Sequence, residues 1–232
     1  LVDALRLNLA EVKDRIARAA ARSGRGAESV RLMAVTKGFP LAVVQEAIDA
    51  GLTLLGENRV QEAEQKFTGL AGGWELHLIG HLQRNKARAA SGLFHCVQSI
   101  DKLETARALA RCAAERGKPV DILIELNTSG EESKSGYRGT EALFRDLEQI
   151  ASLDGLHPRG LMTVGPLAAS ADQVRAAFAA LHGAFVESGR RLGLPGFDTL
   201  SMGMSGDYEI AVEEGSTMAR LGTALFGQRG QA

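Results

Sequence analysis

The chain is poor in the residues that mark several large protein classes. Its 232 residues include two cysteines, five prolines, one tryptophan and two tyrosines. Cys96 and Cys112 share no metal-ligand or redox spacing. That pattern suits a reducing compartment, so the cytoplasm is the expected location, with no structural disulfide and no metal site. Charge of one sign is missing too: 27 Lys and Arg against 28 Asp and Glu leave a formal net charge of −1. A nucleic-acid partner, which selects a basic excess, is therefore not expected. No apolar run approaches the roughly 18 residues of a membrane span. The opening segment LVDALRLNLAEVKDR mixes acids and bases in an amphipathic pattern, unlike a secretion signal. No Pro- or Ser-rich linker and no low-complexity stretch divides the chain, so residues 1–232 read as one domain.

What is present is alternation. Leu5, Leu9, Val12, Ile16 and Ala20 recur at helical spacing and predict an amphipathic helix over residues 1–23, ending near Gly24 and Gly26 and packed on the rest of the molecule. Short apolar runs then follow at 31–37, 52–58, 74–80, 93–100, 120–127, 156–164, 198–203 and 217–227. Each is near-continuously apolar, as expected of strands covered on both faces. Helical patterns fill the gaps at 41–50, 58–67, 82–90, 102–116, 139–153, 171–192 and 206–215. Strand–helix units in that number predict an α/β fold, a single (β/α)8 barrel of the TIM type with an extra N-terminal helix, over an open parallel sheet.

In such a barrel the chemistry sits at the carboxyl ends of the strands. The first run ends in Thr36-Lys37. A lysine closing an apolar strand is partly desolvated, which favours the neutral, nucleophilic amine; the ordinary alternative is a rim lysine in solvent. Asn58 and Asn127 end the second and fifth runs, where an amide contacts a ligand or, the better reading for each, caps the next helix. His77 has apolar neighbours and reads as a satisfied core histidine. After the seventh run comes Ser201-Met202-Gly203-Met204-Ser205-Gly206, and in the eighth Arg220-Leu221-Gly222-Thr223. Small residues in these two stretches expose backbone N–H groups at helix starts, as a phosphate cradle does and as ordinary Ser-Gly and Gly-Thr turns also do, and Asp207 would repel a phosphate placed too close. Arg220 lies inside an apolar run and needs an acceptor, either a carboxylate such as Glu57 or Asp207 or a ligand atom. A strand lysine, a phosphate cradle and a strand arginine together fit pyridoxal 5'-phosphate.

The segments AVTKGFP (34–40), LLGENRVQE (54–62), LHLIGHLQRNKAR (76–88), ELNTSGEESKSG (125–136), GLMTV (160–164) and LSMGMSGDYEIAVEEGSTMARLGTALFG (200–227) resemble the pyridoxal phosphate homeostasis protein family. That family is similar in fold to the N-terminal barrel of alanine racemase, a fold-type III arrangement. The resemblance implies that Lys37 holds pyridoxal 5'-phosphate as a Schiff base. It further implies that Ser205, Gly206, Gly222 and Thr223 hold the phosphate and that Arg220 faces the pyridine nitrogen. Asn58, Met162 and Ser201 would line the pocket.

An arginine at the pyridine nitrogen disfavours its protonation and weakens the cofactor as an electron sink. Racemases of this fold add a tyrosine base from a second domain, for which the strand–helix accounting leaves no residues. Tyr208 is expected to point away from the site, and Tyr137, after the loop that follows the fifth run, could approach the rim but is not the expected base. The expected function is therefore non-catalytic: buffering of the cofactor and its delivery to apo-enzymes, by a monomer that is not an enzyme. The alternative is a small pyridoxal phosphate-dependent amino-acid racemase. Lys134, in the polar loop GEESKSG, is either an exposed relay amine for release or a solvated loop lysine paired with Glu131 or Glu132.

Overall fold

The structure is a computed structural model that describes residues 2–228. Among the described residues the strands are β1 (Arg31–Val35), β2 (Leu54–Glu57), β3 (Glu75–Leu78), β4 (Cys96–Ile100), β5 (Val120–Asn127), β6 (Tyr137–Arg138), β7 (Leu156–Met162), β8 (Thr199–Ser201) and β9 (Met218–Leu221). All pair in parallel. The order β1-β2-β3-β4-β5-β7-β8-β9 closes on itself through the β9–β1 ladder, and β6 only extends β5. The helices are α1 (Val2–Arg22), α2 (Leu41–Asp49), α3 (Val60–Phe67), α4 (Ala87–Leu93), α5 (Leu103–Glu115), α6 (Thr140–Ala151), α7 (Ala171–Leu192), α8 (Tyr208–Glu213) and α9 (Thr223–Phe226). The fold is a (β/α)8 barrel with a leading helix.

The core has two compartments, and the alternation of side chains along each strand creates them. Outward-facing residues such as Ala34, Leu55, Leu76 and Val97 join the buried faces of the helices in one large cluster. Inward-facing residues form two small clusters made of strand and strand-end residues only, one around Met33, Val35, Leu54 and Met218, the other around Cys96, Leu123 and Met162. On α1, Leu5, Leu9, Val12 and Ile16 are buried, each contributing about 1.5–3 kcal/mol. That stripe lies on α8 and α9. Arg15 pairs with Glu209, and Arg22 with Glu213, to set its register.

Three local expectations give way to the structure. The run 217–227 is not one strand: β9 ends at Leu221, and Gly222 turns the chain into α9. Leu225 is buried in the outer core, so the apolar signal continues although the element changes. Likewise Leu93 closes α4, and β4 begins only at Cys96. Periodicity cannot divide two short buried elements that abut. Finally β6, two residues beside Leu126 and Asn127, lies in a stretch read as loop.

Candidate functional site

The inner face delivers the chemistry to the carboxyl rim. Met33 and Val35 face the barrel interior, whereas Thr36 turns outward and donates from its hydroxyl to Glu57 Oε1 at 2.7 Å. The next residue, half-buried Lys37, begins the turn that follows β1 at the carboxyl end of the barrel. Behind it, Lys66 of α3 donates to the Thr36 carbonyl and to Glu57 Oε1, both at 2.9 Å, and to Glu62 Oε1 at 2.6 Å. Burial pushes the Glu57 carboxyl up, opposed by Thr36 and Lys66. The network fixes the turn that carries Lys37.

Two residues beyond inward-facing Met218, Arg220 is 4% exposed. Its Nη1 donates to Ser201 Oγ and its Nη2 to the Thr163 carbonyl, both at 2.7 Å. Neither expected carboxylate is a partner: Glu57 is engaged on the far side of β1, and Asp207 takes the Met204 N–H at 2.6 Å. Only through-space attraction from Glu125 and Asp207 offsets the burial that pulls the Arg220 guanidinium down to about 10. A buried cation whose hydrogen bonds go only to neutral groups favours an acceptor from outside the chain.

The two expected halves of the anion cradle meet. Ser205 and Gly206 lie in the turn before α8, and Gly222 and Thr223 at the start of α9. Ser205 Oγ accepts from the Ala224 N–H at 3.1 Å, which joins one half to the other. A Cβ on Gly206 would touch nothing within 4 Å, and one on Gly222 only atoms of Val35 at 3.4 and 3.7 Å. Asp207 does not intrude, because its carboxylate closes the 204–207 turn from within. Gly203 has φ +96°, and a Cβ there would lie 2.6 Å from the Cβ of Ala211. The sharp exit from β8 therefore requires glycine.

Other expected residues divide. Met162 and Ser201 are buried on the inner face, and Asn58 lines a rim cavity of about 210 Å3. Asn58 caps nothing: α3 starts after Arg59, without a side-chain cap. Asn127 is not a helix cap either. It ties down the following loop, donating to the Glu131 carbonyl and accepting from the Ser129 N–H. His77 is a bonded core histidine, with Glu75 and Gln98 as partners. Lys134 is not an exposed loop lysine; it is 15% exposed and held by Glu131 and by the Gly165 carbonyl, each at 2.7 Å. Tyr137 donates to Asp146 on α6 at 3.1 Å, so it turns from the rim, and Tyr208 is buried among the helices beneath Arg15.

Sequence reasoning missed Glu125. It is 6% exposed, lines the same cavity as Asn58 and Lys134, and is raised to about 7, chiefly by burial. The negative charge of Asp101 raises it further and Arg220 lowers it. A signal existed, since Glu125 is an acid near the carboxyl end of the apolar run VDILIELN and shares the strand face of inward-facing Leu123.

The model for the alanine racemase N-terminal domain matches residues 7–230. The pyridoxal phosphate homeostasis protein of Escherichia coli strain K12 is 41% identical, over 96% of this chain and 95% of its own. The chain belongs to the pyridoxal phosphate homeostasis protein family. The structure of PipY from Synechococcus elongatus with PLP bound is 37% identical and superposes with a TM-score of 0.79, over 86% of this chain and 93% of its own. Alanine racemase of Clostridium difficile shares the fold at 16% identity and a TM-score of 0.75, over 99% of this chain and 57% of its own.

Proposed function

We propose that the chain binds pyridoxal 5'-phosphate at the carboxyl rim and serves its homeostasis in the cytoplasm, holding it and passing it to apo-enzymes. The observation that carries the reading is the 3.1 Å bond between Ser205 and the Ala224 amide, which joins two glycine-bearing turns into one cradle near buried Arg220. The residues fit the group. The N–H groups around Ser205, Gly206, Gly222 and Thr223 would hold a phosphate, and Arg220 would meet the ring nitrogen. Lys37 would supply the amine for covalent attachment, while Asn58, Met162 and Ser201 line the pocket. When bound, the cofactor supplies an aldehyde that condenses with amines. The PLP-bound PipY relative supports this assignment.

Retention rather than turnover is supported by three features. Arg220 is an obligate donor, so a ring nitrogen facing it must accept and is not protonated. Both tyrosine hydroxyls are directed into the helix layer. The curated relatives are named as homeostasis proteins. Lys37→Ala should abolish the visible absorption of the protein-bound cofactor while leaving the fold intact by circular dichroism. Incubation with L- and D-alanine in heavy water should give no Cα deuteration at enzymatic rates, about 1 s⁻¹ or more. A deuteration rate in that range would show a racemase instead.

A further inference from the structure

A row of polar groups crosses the barrel interior beneath the rim site. Arg220 Nη1 donates to Ser201 Oγ at 2.7 Å, and Ser201 Oγ donates to Gln98 Oε1 at 2.7 Å. Gln98 Nε2 meets His77 Nδ1 at 2.8 Å, and His77 Nε2 meets Glu75 Oε1 at 2.8 Å. Glu75 also accepts from Arg31, where β1 and β3 begin at the opposite end of the barrel. Ser201 and Gln98 are fully buried and His77 is 3% exposed.

With His77 neutral, only one direction pairs every donor along this row with an acceptor. Arginine has donors only, so Ser201 accepts from Arg220 and spends its single proton on Gln98. Gln98 must then present its carbonyl oxygen to Ser201 and its amide nitrogen to His77. His77 accepts at Nδ1, carries its proton on Nε2 and donates it to Glu75. Every donor points away from Arg220, so each dipole turns its negative end toward the guanidinium and its positive end toward the Glu75 carboxylate. Aligned dipoles of this kind reinforce one another in a low-dielectric interior. They favour a charged, oriented Arg220 where burial opposes charge.

We propose that Gln98 and His77 are positioning residues of the rim site, which hold Arg220 in orientation through Ser201 from the far end of the barrel. This rests on the reading of the rim as a pyridoxal phosphate site.

Two measurements test it. Nitrogen NMR on the cofactor-free protein should find His77 neutral at pH 7 with its proton on Nε2. In Gln98→Glu a carboxylate faces Nδ1, so His77 should take up a second proton and become imidazolium. Titration with pyridoxal phosphate should show Gln98→Leu and Ser201→Ala each weakening binding ~10-fold, and the double variant no weaker than either single one. The milder Glu75→Gln, at the half-exposed lower end, should relax the His77 tautomer preference and weaken binding several-fold. A wild-type His77 protonated on Nδ1 would overturn the proposal. So would wild-type affinity in Gln98→Leu and Glu75→Gln, or fully multiplicative losses in the double variant. If the wild type fails to bind pyridoxal phosphate, the reading of the rim site falls with it; wild-type binding with unchanged variants removes the positioning role alone.

Discussion

The Lys66 ammonium donates to the carbonyl of Thr36 at 2.9 Å, one residue before Lys37. The same ammonium holds Glu62, which in turn accepts from the N–H of Gly38 at 2.6 Å. Both peptide neighbours of Lys37 are thus anchored from outside the barrel by one turn of α3. The lysine proposed to hold the cofactor sits on a backbone with little freedom.

This arrangement makes Lys66 costly to remove. Lys66→Met would leave Glu57, fully buried, without its cation. The expected loss is about 3–5 kcal/mol in urea unfolding, because an unpaired buried carboxylate keeps its desolvation penalty. Adding Glu57→Gln to that variant should recover most of the loss. Lys66→Met within 0.5 kcal/mol of wild type would mean that the pair has little role in stability.

Glu125 gives the stability a pH dependence. Its carboxyl is raised from 4.5 to about 7 in the folded chain, so the folded state keeps a proton that the unfolded state loses. Stability is therefore full below the unfolded value and falls as pH rises through that window. Glu125→Gln should be close to neutral at pH 4 and stabilising at pH 8, by up to roughly 3 kcal/mol. Thermal melts of both proteins across that range check it; equal shifts at the two pH values would contradict it.

Gly203 should not tolerate a side chain. Beyond the positive φ, a Cβ would lie 2.9 Å from the Cα of Tyr208, so α8 would have to move. Gly203→Ala should cost roughly 2–4 kcal/mol. Because the turn at 204–207 holds Ser205 and Gly206, the variant should also bind pyridoxal phosphate more weakly at a temperature where it is still folded. Melting and equilibrium titration together separate the two effects.

Lys134 holds two loops together. Its amine bridges Glu131 and the Gly165 carbonyl, and Glu131 accepts in turn from the Leu167 N–H. Lys134→Met should cost about 1 kcal/mol and speed hydrogen exchange at the Leu167 amide, with helix α7 unaffected. Unchanged exchange at Leu167 would show that Glu131 needs no help from Lys134.

Much of the candidate site was legible because its signals are local. Gly222 and Thr223, and Ser205 and Gly206, announce themselves as small residues placed just after buried strands. Lys37 stands out as the one charge closing LMAVTK. The partner of Arg220 was not legible. A buried arginine tells that an acceptor exists, but Ser201 and Thr163 were not marked as that acceptor, and the carboxylates suggested instead are engaged elsewhere. Asn58 and Asn127 misled for a related reason. An amide after a strand is compatible with a cap, a turn or a pocket wall, and only its neighbours choose.

By itself the sequence determined the order of most strands and helices, and many of the side chains that stand at the carboxyl rim. Those features follow from periodicity and from glycine punctuation, which are properties of contiguous residues. The tertiary structure alone decided that Ser205 meets Ala224, that Lys66 braces the turn around Lys37, and that Gln98 and His77 link Arg220 to Glu75. Each of these joins different strands or helices. Strand alternation says which side chains enter the barrel, whereas register and barrel closure decide which of them touch.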